Sequence, residues 1–304
     1  MAPVSTPTTS AAALEQTFGE IPSNVGDGYQ IESVRISRIR NRDGDWSAML
    51  KFSRCETFRK KETDMGIDKQ PVLGIIQLDS AHAMEGASGD VIERSDLMPF
   101  SIGDPSLWHL PLQSVIAKRA DIIANKVPTP EAVSGILEAV GRLDPHVQLI
   151  IGGCGYMLAS RKYLYGRTST ATLTSGLEFL SLALRMTNRP VGIITWDVEP
   201  LVSLLEDHPG SERFRFLNVG DLPEWSKSWT CRSAYRKPGG WTKERMAQQF
   251  ADRLAEAFAE DGIFEDVGVL VIECMIVPDF RETIRTVTSP PVLDLIHFAK
   301  AALE

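Results

Sequence analysis

Two stretches of this chain decide its architecture: Pro71-Val-Leu-Gly74-Ile-Ile-Gln-Leu-Asp79 and Pro190-Val-Gly192-Ile-Ile-Thr-Trp-Asp197. Both carry a Gly-Ile-Ile-x-x-Asp core, and 118 residues separate Gly74 from Gly192. Later in each half an apolar run meets a cysteine, as Val147-Gln-Leu-Ile-Ile-Gly-Gly-Cys154 and Gly268-Val-Leu-Val-Ile-Glu-Cys274. These cysteines lie 120 residues apart, nearly the same offset. Each half therefore reads as strand, Asp, crossover, strand, Cys. Duplicated α/β halves place the C-terminal ends of their strands around a shared crevice, where open parallel sheets take ligands.

Around this repeat the chain alternates short β-branched runs with helical stretches, the pattern of βα units and parallel sheets. The strands expected are Val72–Leu78, Val147–Ile151, Val191–Trp196, Phe214–Asn218 and Gly268–Ile272. Helices are expected over Leu110–Asn125, Pro130–Arg142, Thr174–Thr187, Glu199–Glu206, Lys243–Glu260 and Pro291–Leu303. Met246, Phe250, Leu254 and Phe258 form a four-residue stripe that faces a core. The fold class is α/β, two pseudo-symmetric lobes with parallel sheets and an N-terminal β-hairpin extension. Residues 1–30 read as a flexible arm and 31–70 as the hairpin (Ile31–Ile39 and Trp46–Phe52 around Asp43-Gly44) with a linker. The first lobe covers 71–173, with 288–304 a candidate to return to it as a C-terminal helix, and the second covers 174–287. Ala81–Phe100 reads as an insertion, a candidate lid.

The chain has 304 residues and a formal charge of −8, which disfavours a nucleic-acid backbone as partner. Nine basic residues crowd positions 31–61, but without the interleaved aromatic residues that stack single strands, so a solvated strand face is the simpler reading. No apolar stretch approaches the roughly 20 residues of a membrane helix. Four cysteines, none in a CxxC pair, suit a reducing, cytoplasmic setting, and Cys55 and Cys231 read as core residues. The five histidines show no ligand spacing, so no metal site is expected.

Cys154 and Cys274, on opposite walls of one cleft, suit proton transfer across a planar carbon: one thiolate takes a proton and the opposite thiol returns one on the other face. The N–H groups of Gly155-Tyr156 and Met275-Ile276 are candidates to hold a substrate carboxylate and the enolate-like transition state. Glu273, preceding Cys274 on a strand, is expected to point away from the cleft and take a structural partner, and Asp197 to cap the following helix. Trp108 and His109 are as well suited to packing as to substrate contact.

Gly153-Cys154-Gly155-Tyr156-Met157, Ile272-Glu273-Cys274-Met275-Ile276-Val277-Pro278-Asp279-Phe280 and Ser101-Ile-Gly-Asp104-Pro-Ser-Leu-Trp108-His-Leu-Pro111 together resemble the aspartate/glutamate/hydantoin racemase superfamily over about residues 71–304. The resemblance implies a PLP-independent, cofactor-free isomerase, a racemase or epimerase acting at the carbon alpha to a carboxylate or carbonyl. Cys154 and Cys274 match its acid/base pair; Asp79 and Ser80 fall at its substrate loop, and Thr174 and Ser175 at its carboxylate contacts. It further implies a small-molecule carboxylate or carbonyl substrate, no nucleic-acid or membrane partner, and a homodimer or higher homo-oligomer. Same-fold alternatives are a cis–trans isomerase and a decarboxylating lyase using a cysteine thiolate; a non-catalytic small-molecule-binding module is a third. The chain departs from the superfamily in having Gly155 after Cys154 and Met275-Ile276 after Cys274. The hydroxyls and amides that would hold an amino acid's carboxylate are missing there, which favours a bulkier or less polar substrate than free Asp or Glu.

Overall fold

The computed structural model describes residues 31–40, 46–54, 70–79, 102–120, 127–231 and 234–303; of the first two segments only the backbone is described. The chain divides into two compact units, Met1–Asp68 and Lys69–Glu304. In the first, β1 (Ile31–Arg40) and β2 (Trp46–Arg54) pair antiparallel with Arg40 opposite Trp46. The 1–30 arm, the hairpin turn and the 81–100 insertion lie outside the described residues.

The second unit contains two four-stranded sheets. The first is built from β3 (Leu73–Leu78), β4 (Leu112–Ala117), β5 (Leu149–Gly152) and β6 (Ala171–Leu173). The second is built from β7 (Val191–Thr195), β8 (Phe214–Asn218), β9 (Val269–Ile272) and β10 (Val292–Leu293). Every neighbouring pair is parallel. The orders β4-β3-β5-β6 and β8-β7-β9-β10 are the same order, so the duplication extends to topology. Register agrees too: Gly74 faces Ile150 across the ladder, and Gly192 faces Leu270. The two glycines share a cause. A Cβ on Gly74 would lie 2.8 Å from Leu143 Cδ1, and one on Gly192 2.7 Å from Leu270 Cδ2, because an apolar side chain crosses the strand at each place. β3, β5, β7 and β9 are buried throughout, as expected for parallel strands covered on both faces.

Helices cover these faces: α1 (Pro130–Gly141), α2 (Arg161–Leu164), α3 (Leu180–Met186), α4 (Val198–Leu205), α5 (Pro223–Thr230), α6 (Lys243–Phe258), α7 (Arg281–Val287) and α8 (Leu295–Leu303). α1 starts where Thr129 Oγ1 accepts the Ala132 N–H and Pro130 presets the first turn. α6 buries Met246, Phe250 and Leu254, with Phe250 against Trp225 and Phe280. Each such side chain contributes about 1.5–3 kcal/mol when removed from water.

Two expected helices are corrected. Within Leu110–Asn125, Leu112–Ala117 forms β4 instead, since its Val115-Ile116 pair suits a strand and its backbone completes the ladder on the open side of β3. Pro291–Leu303 is split: Val292–Leu293 adds to β9, and the helix begins only at Leu295. Asp294 makes the break, its Oδ1 accepting the His297 N–H at 2.8 Å and its Oδ2 receiving Arg281 at 2.5 Å. α8 then packs Leu295, Ile296 and Ala299 with Leu73, Ile75, Leu149 and Ile151 of the first sheet. The chain end therefore ties one lobe to the other. Among the described residues, no helix is long and apolar enough to cross a membrane.

Candidate active site

Both cysteines are placed by the same backbone device. After β5 the Gly153 N–H donates to the Ile76 carbonyl at 2.7 Å; after β9 the Glu273 N–H donates to the Ile194 carbonyl at 2.9 Å. One residue later each chain turns, with Met157 N–H on the Cys154 carbonyl at 3.1 Å and Val277 N–H on the Cys274 carbonyl at 3.2 Å. Cys154 is extended (φ −149°, ψ 136°) and opens the 3-10 turn Gly155–Ser160. The turn after Cys274 runs over Val277–Phe280. Both thiols are free.

Cys154 and Cys274 are near enough that charge on Cys274 disfavours charge on Cys154. Burial raises both thiols above their ordinary range, and negative charge on Glu273 raises them further; Cys274 is pushed up to about 12. Opposing this, the Tyr156 N–H favours a Cys154 thiolate, and the Ile276 and Val277 N–H groups favour a Cys274 thiolate. Tyr156 and Ile276 stand at matching positions, 120 residues apart.

For Glu273 sequence reasoning expected a structural partner, and the structure supplies Thr195 and Trp196 but also sets the side chain against the first lobe. Strand alternation turned its side chain away, but β9 ends at Ile272 and the alternation ends with it. Glu273 is 1% exposed and its carboxyl lies against the first lobe: a Cβ on Gly155 would sit 2.0 Å from Glu273 Oε1. Glu273 Oε2 accepts the Thr195 hydroxyl at 2.7 Å and the Trp196 N–H at 3.4 Å. Burial outweighs these donors and pushes the carboxyl up to about 7. A usable signal was present in the sequence. Gln77 and Thr195 stand at matching positions of the matching strands, and Gly153 and Glu273 precede the matching cysteines. In the first lobe Gly153 packs against Gln77, whose Oε1 a Cβ there would approach to 2.5 Å; in the second, Glu273 bonds Thr195.

Tyr156 crosses between lobes, its hydroxyl donating to the Asp197 carbonyl at 2.8 Å. Its phenol is raised by burial and then by Glu273. Asp197 caps α4 through the Glu199 N–H at 3.2 Å. Asp79, its counterpart, accepts the Arg119 N–H at 2.9 Å and so holds the turn leaving β4. Ser80 lies outside the described residues. Thr174 and Ser175 are buried with their hydroxyls engaged: Thr174 donates to Glu178 at 2.8 Å, and Ser175 accepts the Leu177 N–H at 3.1 Å. Their segment threads between the strand ends, since a Cβ on Gly152 would meet the Thr174 carbonyl at 2.0 Å and one on Gly176 the Ile272 carbonyl at 2.2 Å. Met275 packs into the first-sheet cluster with α8, and Ile276 into the aromatic cluster of α5 and α6.

Trp108 is buried and donates to the Ile102 carbonyl at 2.8 Å, while His109 is exposed. Cys231 is exposed, which corrects the expectation of a core thiol. It follows the last turn of α5, whose inward face is set by Trp225 and Ser228. Cys55 lies outside the described residues. Among the described residues, no group of three His, Cys, Asp or Glu side chains could hold a metal ion.

No protein-family profile matches this chain, and no curated protein does. Among solved structures it is similar to a glutamate racemase isoform, RacE1, from Bacillus anthracis, at 11% identity and a TM-score of 0.40, covering 77% of this chain and 81% of that one.

Proposed function

We propose that this chain is a cofactor-independent isomerase, a racemase or epimerase that moves a proton at the carbon next to a carboxylate or carbonyl, with Cys154 and Cys274 as its acid/base pair. The observation that carries the reading is the equivalence of the two thiols. They follow β5 and β9, the same strand of two lobes, and sit within electrostatic reach of each other.

In the forward step one thiolate sulfur takes the proton from the substrate carbon, breaking C–H and forming S–H, while the electron pair moves onto the neighbouring oxygen. The opposite thiol then gives its proton to the other face and becomes the thiolate. A thiolate raised by burial is a stronger base than one in water, which suits a weakly acidic carbon. The N–H groups of Gly155-Tyr156 and Met275-Ile276 are the proposed donors to the substrate oxygens. Asp79 and Ser80, its neighbour in sequence, are proposed substrate contacts. Thr174 and Ser175 hold the segment linking the two strand ends.

The test is turnover of a panel of chiral carboxylic and carbonyl compounds in deuterated water. Deuterium should enter only at the inverted carbon, and Cys154→Ser and Cys274→Ser should each lose racemisation. Retained racemisation in both variants would end the proposal. A covalent substrate adduct on one cysteine, seen by intact mass, would instead assign a cis–trans isomerase.

A further inference from the structure

We infer that Glu273 is a positioning residue governing both thiols at once: its carboxyl, anchored by Thr195 and Trp196 and seated against Gly155, stands at the junction of the two cysteine turns, so that its ionisation decides how readily either thiolate forms. Three observations place it there. It is the covalent neighbour of Cys274. It fills the space where a side chain on Gly155, the covalent neighbour of Cys154, would stand. Its one ladder bond, to Ile194, fixes the backbone, while the Thr195 hydroxyl fixes the carboxyl. No Lys, Arg or His among the described residues donates to it. The titratable groups facing it are Cys154 and Tyr156 from the first lobe and Cys274 beside it, with the Asp197 carbonyl beyond Thr195. A negative charge at this point opposes a second one on either sulfur; a neutral carboxyl does not.

The matching position in the first lobe is Gly153, so the device exists once and serves both cysteines. As a statement about catalysis the inference rests on the proton-transfer reading. As a statement about the two thiols it is independent of any substrate, which keeps the two failures distinguishable.

The experiment is alkylation by iodoacetamide across pH 6–10 on the full chain, with each cysteine followed by peptide mass spectrometry and exposed Cys231 as the internal reference. In Glu273→Gln, which keeps the shape and loses the charge, Cys154 and Cys274 should both react faster at pH 8, and Cys231 should not change. Each unit by which a thiol's pKa falls yields about tenfold more thiolate and, after the loss of intrinsic nucleophilicity, about threefold faster alkylation. Acceleration of Cys274 alone, or of neither, overturns the inference. Should the variant not fold, the wild type decides. The logarithm of rate against pH should flatten over one shared window for both cysteines as Glu273 ionises, and a uniform rise at either cysteine overturns the inference.

Discussion

The two lobes have the same strand order, the same register and the same cysteine turn, yet they differ at the pair of positions beside the cysteine. The first lobe has Gln77 with Gly153; the second has Thr195 with Glu273. Only one lobe carries an ionisable group there, and its carboxyl reaches across to the other lobe. On the proposed reading, the reaction uses two equivalent thiols while the charge acting on them comes from one lobe only. A second carboxyl at the matching position of the first lobe, brought near this one, would repel it and raise it further.

The largest effect expected from breaking this comparison is at the thiols. Replacing either cysteine with Ser should lower racemisation by roughly 10²–10⁴-fold, the usual contribution of a positioned acid or base. The two variants should differ in kind: each should fail to exchange the α-proton of a different enantiomer, read by proton NMR in deuterated water.

Next is the pH dependence of stability. The folded value of Glu273, about 7, lies above its ordinary 4.5, so the neutral carboxyl favours the folded state. Its contribution is full below pH 4.5 and falls away as pH rises to about 7, by about 3 kcal/mol. Glu273→Gln should remove this slope and leave the protein more stable than wild type at pH 8, measured by urea unfolding at both ends of the window.

A smaller effect probes the contact between lobes. Gly155→Ala should destabilise the fold, because the new methyl meets Glu273, and Glu273→Ala should relieve it. A double-mutant cycle should give a coupling of about 1–2 kcal/mol; additivity would mean that the carboxyl does not rest on Gly155. The smallest expected effect separates the two aspartates. Asp197→Ala should cost about 1 kcal/mol through loss of the α4 cap. Asp79→Ala should instead loosen the turn at Arg119, visible as faster hydrogen exchange there.

Much of this was legible in the residues. The Gly-Ile-Ile-x-x-Asp repeat marked β3 and β7, since buried parallel strands read as unbroken β-branched runs. The α6 stripe and the Asp197 cap were readable because both are local patterns. β4, β6 and β10 were not, because each lies at the rim of a sheet and is held by its one neighbour rather than by its own composition. Glu273 was hidden for a related reason: the alternation rule holds only while a strand lasts, and β9 stops one residue too soon.

By itself the sequence determined the doubled α/β plan and the matching positions of Cys154 and Cys274 within it, because periodicity and repeat offsets are properties of the chain alone. Tertiary structure alone decided that α8 closes over the other lobe, that the Thr174 and Ser175 hydroxyls are turned to internal bonds, and that a buried carboxyl lies within electrostatic reach of both thiols. Each depends on which surfaces meet in space, and burial and charge act through distance, which residue numbering does not record.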